Sequence, residues 1–250
     1  MLKLVLSATL LLTGLMHSAQ AQVQVKFDPL HAPTFRYGVR VGGQVMGMTP
    51  LQTNSSHEVP QTGLWGGNAG LAAEAVFGWL TVQPAVLFTQ KGFYMHNSWT
   101  ETYYGKPLAL NSLTRLRLNS LEVPVNLIAT VHGFQLLAGP YVSLALSGRY
   151  HDEWTMPLPI GSETSHDFTT YQIIRDEKVY FSKKDRNYDD IVVRRLDAGF
   201  NVGVGYRYNG WQVQPTYTRG IRYTGYGYQS KNWSAQLNLT HFFGPVAQGR

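Results

Sequence analysis

Between Leu196 and Tyr208 the apolar residues Leu196, Ala198, Phe200, Val202, Val204, Tyr206 and Tyr208 alternate with Asp197, Gly199, Asn201, Gly203, Gly205 and Arg207. A period of two is that of a β-strand with one apolar and one polar face. Asn209-Gly210 follows, the dipeptide suited to a type I′ turn because both central positions need positive φ. The return strand places Trp211, Val213, Pro215 and Tyr217 against Gln212, Gln214, Thr216 and Thr218, so the stretch reads as a hairpin.

The same pattern recurs along the chain. Phe35, Tyr37, Val39, Val41 and Val45 oppose Arg36, Gly38, Arg40, Gly42 and Gln44. Ala69 to Phe77 oppose Asn68 to Glu74, and after Gly78-Trp79 the residues Leu80, Val82, Pro84, Val86 and Phe88 oppose Thr81, Gln83, Thr89 and Lys91. Leu121 to Val131 continue the pattern, with Leu116 and Leu118 on the other parity, which predicts a β-bulge near Asn119-Ser120. Beyond His132-Gly133 come Phe134 to Leu146, and a last strand spans Trp233 to Phe243. Between them lie four polar loops: the one before Asn68, Met95 to Ser112, Tyr150 to Val193, and Gly220 to Lys231. Inside the longest, Thr169–Arg175 and Lys178–Ser182 flank Asp176-Glu177 as a predicted hairpin. Pro84, Pro124, Pro140 and Pro215 sit inside strands, where each removes a ladder donor, and bulges or non-hydrogen-bonded positions are expected there.

Alternation alone fits a soluble lipocalin-like barrel as well as a membrane one. Three features favour the membrane. The polar face is built of Gly, Ser, Thr, Asn and Gln with few charges, in a chain only 14% charged. Tight turns and long loops alternate strictly, as in outer-membrane barrels, which puts the tight turns and both termini on the periplasmic side. Aromatics gather at strand ends as interfacial girdles: Phe35, Tyr37, Phe77, Trp79, Phe88, Phe93, Tyr208, Trp211, Trp233 and Phe243. The predicted fold is all-β, an eight-stranded antiparallel up-and-down transmembrane β-barrel over residues 35–243 with long extracellular loops. Closure is required because an open edge in hydrocarbon leaves backbone groups unpaired.

Lys3, the apolar run Leu4 to Met16 and Ala19-Gln20-Ala21 make residues 1–21 a secretory signal, followed by a lead-in over 22–34 and a tail over 244–250. There is no cysteine, so neither a disulfide nor a lipid-anchoring thiol is available. No other apolar run reaches the roughly 18 residues of a membrane helix.

Val82-Gln83-Pro84-Ala85-Val86-Leu87-Phe88-Thr89-Gln90-Lys91-Gly92, Leu118-Asn119-Ser120-Leu121-Glu122-Val123-Pro124-Val125, Leu137-Ala138-Gly139-Pro140-Tyr141-Val142 and the glycine-alternating Ala198 to Tyr208 resemble the PorT-like outer-membrane β-barrel family of the Bacteroidetes. The resemblance covers residues 35 to 243. It implies an eight-stranded barrel in the outer membrane of a Gram-negative bacterium; the founding member belongs to a protein-secretion and gliding apparatus, while most relatives share only the barrel.

Seven charges fall on the polar parity: Arg36, Arg40, Glu74, Lys91, Glu122, Asp197 and Arg207. An eight-stranded barrel is filled by its own side chains, so these read as an ion-pair network plugging the interior, in preference to a gated polar path. The longest loop carries nine acidic and five basic residues, a net of −4, which leaves +10 on the remainder of a chain of formal charge +6. Asp152, Glu153, Trp154, Asp176, Glu177, Lys183, Lys184, Asp185 and Arg186 are its recognition candidates, for a protein partner or a divalent cation.

Catalytic signals are poor. Ser165-His166-Asp167 are neighbours in sequence and do not readily adopt a relayed geometry, and His151-Asp152-Glu153 lacks metal-motif spacing. No nucleotide loop or nucleic-acid module appears, and basic residues are spread along the strands with no clustered patch. The expectation is a monomeric, non-enzymatic barrel without cofactor, contacting outer-membrane lipid and recognising a protein partner through its external loops, in keeping with an accessory role in secretion. The alternatives are binding or passage of a small apolar molecule, using Trp99, Tyr103, Tyr104, Trp154 and Tyr226, and a membrane-embedded hydrolase.

Overall fold

The computed structural model describes residues 33–49, 61–103, 106–159, 168–181, 192–225 and 230–244. The signal, nearly all of the lead-in and the last six residues lie outside that range. The alternating stretches form β1 (Thr34–Met48), β2 (Gln61–Thr62), β3 (Leu64–Phe77), β4 (Leu80–Tyr103), β5 (Lys106–Val131), β6 (Phe134–Pro159), β7 (Phe168–Lys178), β8 (Leu196–Tyr208), β9 (Trp211–Gly220) and β10 (Asn232–Phe243). Eight of these make the ring β1-β3-β4-β5-β6-β8-β9-β10, antiparallel throughout. It closes where β10 pairs with β1, from Tyr37↔Phe243 to Met48↔Asn232. Closure leaves no strand edge in the apolar zone.

The strand faces follow from the period. Phe35, Val39, Val41, Leu71, Val86, Leu127, Leu136, Val202, Val204 and Leu237 point outward and are exposed, while Gln44, Asn68, Thr81, Gln83, Asn126, Gln135, Ser143, Gln212, Gln214 and Thr240 point inward and are buried. Apolar outside and polar inside is the reverse of a soluble barrel and matches a lipid-facing wall. One end carries the tight turns. His132 and Gly133 have φ of 51° and 84°, and Asn209 and Gly210 have 46° and 80°, the positive values a type I′ turn demands. Aromatics ring this end: Tyr37 lies 5.8 Å from Phe243, Phe134 5.1 Å from Tyr206, and Trp211 4.4 Å from His241.

Several expectations are corrected. Met95 to Ser112 is not a loop: β4 and β5 stay paired up to Tyr103↔Lys106, because the Thr, Tyr and Trp of this segment favour a strand as well as a polar surface. Within the longest connection, β7 pairs with the upper half of β6, from Arg149↔Lys178 to Pro159↔Phe168, and among the described residues it makes no hairpin with the predicted partner Lys178–Ser182, of which Ser182 lies outside that range. Extending β6 gives β7 a long template that an isolated hairpin lacks. β4, β5, β6 and β7 therefore rise past the ring as a projecting four-stranded sheet.

The register shift falls at Asn119/Ser120, where Asn119 pairs with Ser147 and Ser120 with Ala145. The extra residue is thus Leu146 on β6, and Leu116 and Leu118 keep facing inward. Phe93 also faces inward and is not a girdle residue: it packs with Met48, Leu116, Leu118, Val179 and Val193.

None of the in-strand prolines makes a bulge. The ladder keeps its register through each and drops two rungs on one side. β3–β4 skips from Ala72↔Ala85 to Ala75↔Val82 beside Pro84, β4–β5 from Pro84↔Val125 to Leu87↔Glu122 beside Pro124, β5–β6 from Pro124↔Tyr141 to Leu127↔Ala138 beside Pro140, and β8–β9 from Gly203↔Thr216 to Tyr206↔Val213 beside Pro215. A missing N–H weakens one ladder and leaves the opposite one paired.

Candidate functional site

The polar parity of the strands delivers all seven interior charges to the lumen, where they separate into three tiers. Near the tight turns, Glu74 on β3 is 1% exposed and takes Arg36 Nε at 2.6 Å and Arg207 Nη2 on its other oxygen. The Phe242 ring lies 5.9 Å from the Arg36 guanidinium and 5.4 Å from that of Arg207. One carboxylate thus serves two guanidiniums, with an aromatic face beside both.

The middle tier is Arg40. Its Nη2 donates to Gln83 Oε1 at 2.6 Å and Gln214 Oε1 at 3.0 Å, and its Nε to Thr240 Oγ1 at 2.9 Å. Among the described residues no carboxylate lies within salt-bridge distance of it. Gln83 Nε2 donates onward to Gln212 Oε1 at 3.0 Å, and Gln212 Nε2 to Gln135 Oε1 at 2.6 Å. Four strands are tied across the lumen by one amide chain.

In the upper tier, Lys91 Nζ lies 2.8 Å from Glu122 Oε2 and 3.0 Å from Asp197 Oδ2. Asp197 also accepts from Tyr141 Oη at 3.1 Å and Asn232 Nδ2 at 3.0 Å. The ammonium stands 4.2 Å from the centre of the Tyr141 ring. Room for that ring exists because Gly199 has no side chain: a Cβ there would come within 2.6 Å of it. Beside this tier a cavity of about 10 Å³ is lined by Lys91, Asp197, Thr224 and Asn232, room for about one water. The Met48–Phe93–Leu116–Leu118–Val179–Val193 cluster, with Met95, Tyr150 and Phe181 against it, lies next along the strands. Sequence reasoning found the charges and missed the glutamines and Tyr141 as their partners. Parity was the available signal, since Gln83, Gln135, Tyr141, Gln212 and Gln214 all lie on the polar face.

The projecting sheet holds the loop candidates. Asp152 is buried and accepts from Thr114 Oγ1 at 2.7 Å and Trp154 Nε1 at 2.5 Å, so it positions its neighbours. Trp154 meets Trp99 edge to face at 5.9 Å. Glu153 accepts from Gln172, Asp176 Oδ1 lies 2.8 Å from His151 Nδ1, and Glu177 lies 2.8 Å from Arg175. Lys183, Lys184, Asp185, Arg186, Tyr104 and Tyr226 lie outside the described residues, as do Ser165, His166 and Asp167. Burial pushes the Tyr150 phenol up to about 12, with the Asp152 carboxylate adding to the effect. Among the described residues no group of His and acidic side chains has the arrangement of a metal site.

No curated protein is recognisably similar in sequence. Among solved structures, the chain resembles Ail, the attachment invasion locus protein of Yersinia pestis, at 8% identity and a TM-score of 0.37, covering 84% of this chain and 99% of that one. It resembles Neisserial surface protein A at 10% identity and a TM-score of 0.40, covering 85% and 100%. The profile of the outer membrane protein beta-barrel domain matches residues 20–224. With a closed eight-stranded ring, an apolar outer wall and a polar interior already in view, that match identifies the chain as a member of the outer membrane protein beta-barrel domain family.

Proposed function

We propose that this outer-membrane barrel is a non-enzymatic recognition protein that binds an extended segment of a protein partner on its projecting sheet, with the long-loop end facing outward. The observation that carries this reading is the open edge of β7. Among the described residues β7 pairs only with β6. Val179 N donates to Gly148 O at 3.1 Å, so odd-numbered β7 residues bond to β6 and the N–H and C=O of Thr170, Gln172, Ile174 and Asp176 point to the open side. Thr169 to Ile174 are exposed and carry neither charge nor proline, the usual protections of an edge. Such an edge accepts an added strand, with main-chain bonds giving affinity and alternate side chains giving specificity.

The filled lumen argues against passage of a small molecule, because three tiers of bonded side chains occupy it. The PorT-like motifs support a finer placement within the family, and an accessory role in protein secretion is what that placement implies. The test is Gln172→Pro, which deletes an outward donor and leaves the β6–β7 ladder intact. With a photocrosslinking residue at Ile174 in the native host, a defined adduct is expected that disappears in the proline variant while the unboiled gel band is unchanged. An adduct that persists undiminished would overturn strand addition.

A further inference from the structure

We propose that the outer wall of the barrel carries a binding site for the phosphate group of an anionic lipid, formed by Arg117, Arg149 and Lys178. Far apart in the chain, the three are brought onto one rung by the ladder: Arg117 pairs with Arg149 and Arg149 with Lys178. All three are exposed. Arg149↔Lys178 is a non-hydrogen-bonded pair, by the same alternation that directs Val179 N to Gly148, which puts the two Cα atoms about 4.5 Å apart, and Arg117 follows at about 5.5 Å.

Like charges directly opposite one another destabilise a sheet, and here three stand in a row. Among the described residues none has a carboxylate within salt-bridge distance. Among the same residues the Arg117 side chain donates only to the Trp65 carbonyl, at 3.4 Å, and the acid on the next rung, Asp176, is taken by His151 at 2.8 Å. A row of unneutralised cations on a barrel wall fits a ligand that supplies negative charge from outside the protein.

Its height identifies that ligand. On the same outward face, one rung below, Asn119 donates to Ser147 at 3.2 Å, and below that Leu121 pairs with Leu144, both exposed in the apolar belt. Leu121 and Arg117 are four residue steps apart, about 13 Å along the strand and about 10 Å along the normal at a tilt near 40°. Long basic side chains reach back toward the apolar boundary from that height. The row therefore stands in the headgroup layer, where the charge at hand is lipid phosphate. The bulge at Leu146 contributes directly: in an unbulged strand the inward parity of Ser143 and Ala145 would carry on to Arg149, and the bulge turns Ser147 and Arg149 outward.

The test uses the full-length barrel and the variant Arg117→Gln/Arg149→Gln/Lys178→Gln, probed with dioleoyl phosphatidylglycerol. Native mass spectrometry is expected to show the parent retaining this lipid and the variant binding it about a hundredfold more weakly, at three surface cations. In phosphatidylcholine vesicles the variant is expected to resist heating as well as or better than the parent, since a like-charge row is gone. Adding phosphatidylglycerol should raise the parent's unfolding temperature and leave the variant's unmoved. Equal retention by both proteins, or a rise in the parent matched by inorganic phosphate alone, would overturn the lipid site. A variant less stable than the parent in phosphatidylcholine would show instead that the row has a structural role.

Discussion

Glu74→Gln is the sharpest test of how the lumen is held. Glu74 is almost fully buried and contacts Arg36 at 2.6 Å as well as Arg207. Glutamine keeps the size and one acceptor and removes the charge, so two guanidiniums lose their shared counter-ion in a low-dielectric interior. Removing one partner of a buried pair costs about 3–5 kcal/mol. The retained acceptor and the partial exposure of Arg207 place this variant near the lower figure, about 3 kcal/mol. For a chain of this size that corresponds to a fall of about 6–12 °C in unfolding temperature. The assay is equilibrium urea unfolding in phosphatidylcholine vesicles, followed by tryptophan fluorescence and by the unboiled gel band. Adding Arg207→Gln should recover part of the loss, since it removes one of the stranded charges. A Glu74→Gln protein within about 1 kcal/mol of the parent would show that Glu74 is not the counter-ion of the two guanidiniums.

Other outcomes follow from the same arrangement. Leu118→Ala, inside the apolar cluster, should cost about 2–5 kcal/mol in urea unfolding, whereas Leu127→Arg on the outer wall should cost about 2–4 kcal/mol in a bilayer and little in a soluble barrel. Planar-bilayer recordings should show no conductance steps, since an eight-stranded interior is filled by its side chains. Tyr150 supplies a pH signature. Its phenol is raised in the folded state, so its contribution is fully present below the unfolded value near 10 and is lost as pH rises toward 12. With its partial exposure the effect is about 1 kcal/mol, and Tyr150→Phe should flatten stability over that window.

The period of two made most of the ring legible. It set Val202 outward and Asn201 inward, and the Asn209-Gly210 turn followed from dihedral chemistry alone. It failed where a strand leaves the membrane. Beyond Lys91 and Ser147 neither face meets hydrocarbon, so alternation fades, and the polar composition of β4–β5 above Met95 predicts a loop. Phe93, Leu116 and Leu118 carried the pattern of lipid-facing residues on the wrong parity, and they face inward to pack with Met48 and with the ends of the long connection, Val179 and Val193. The charges Arg36 and Glu74 were legible by parity; that they meet was not, since register is a property of the pairing. For the same reason Arg117, Arg149 and Lys178 read as scattered basic residues, and the ladder places them on one rung.

The apolar face of this barrel looks out at lipid, and the polar face fills a closed lumen. With no native cysteine, single cysteines at Val39, Leu127, Val202 and Leu239 on the outer face, and at Ser143 and Thr240 on the inner face, can each carry a nitroxide label in vesicles. Collision with dissolved oxygen, which concentrates in hydrocarbon, should be high at the first four and low at the last two, and a water-soluble nickel complex should reach none of the six. High nickel and low oxygen accessibility at Val39, Leu127, Val202 and Leu239 would mean that the outer wall faces water and that the barrel is inside out to this assignment.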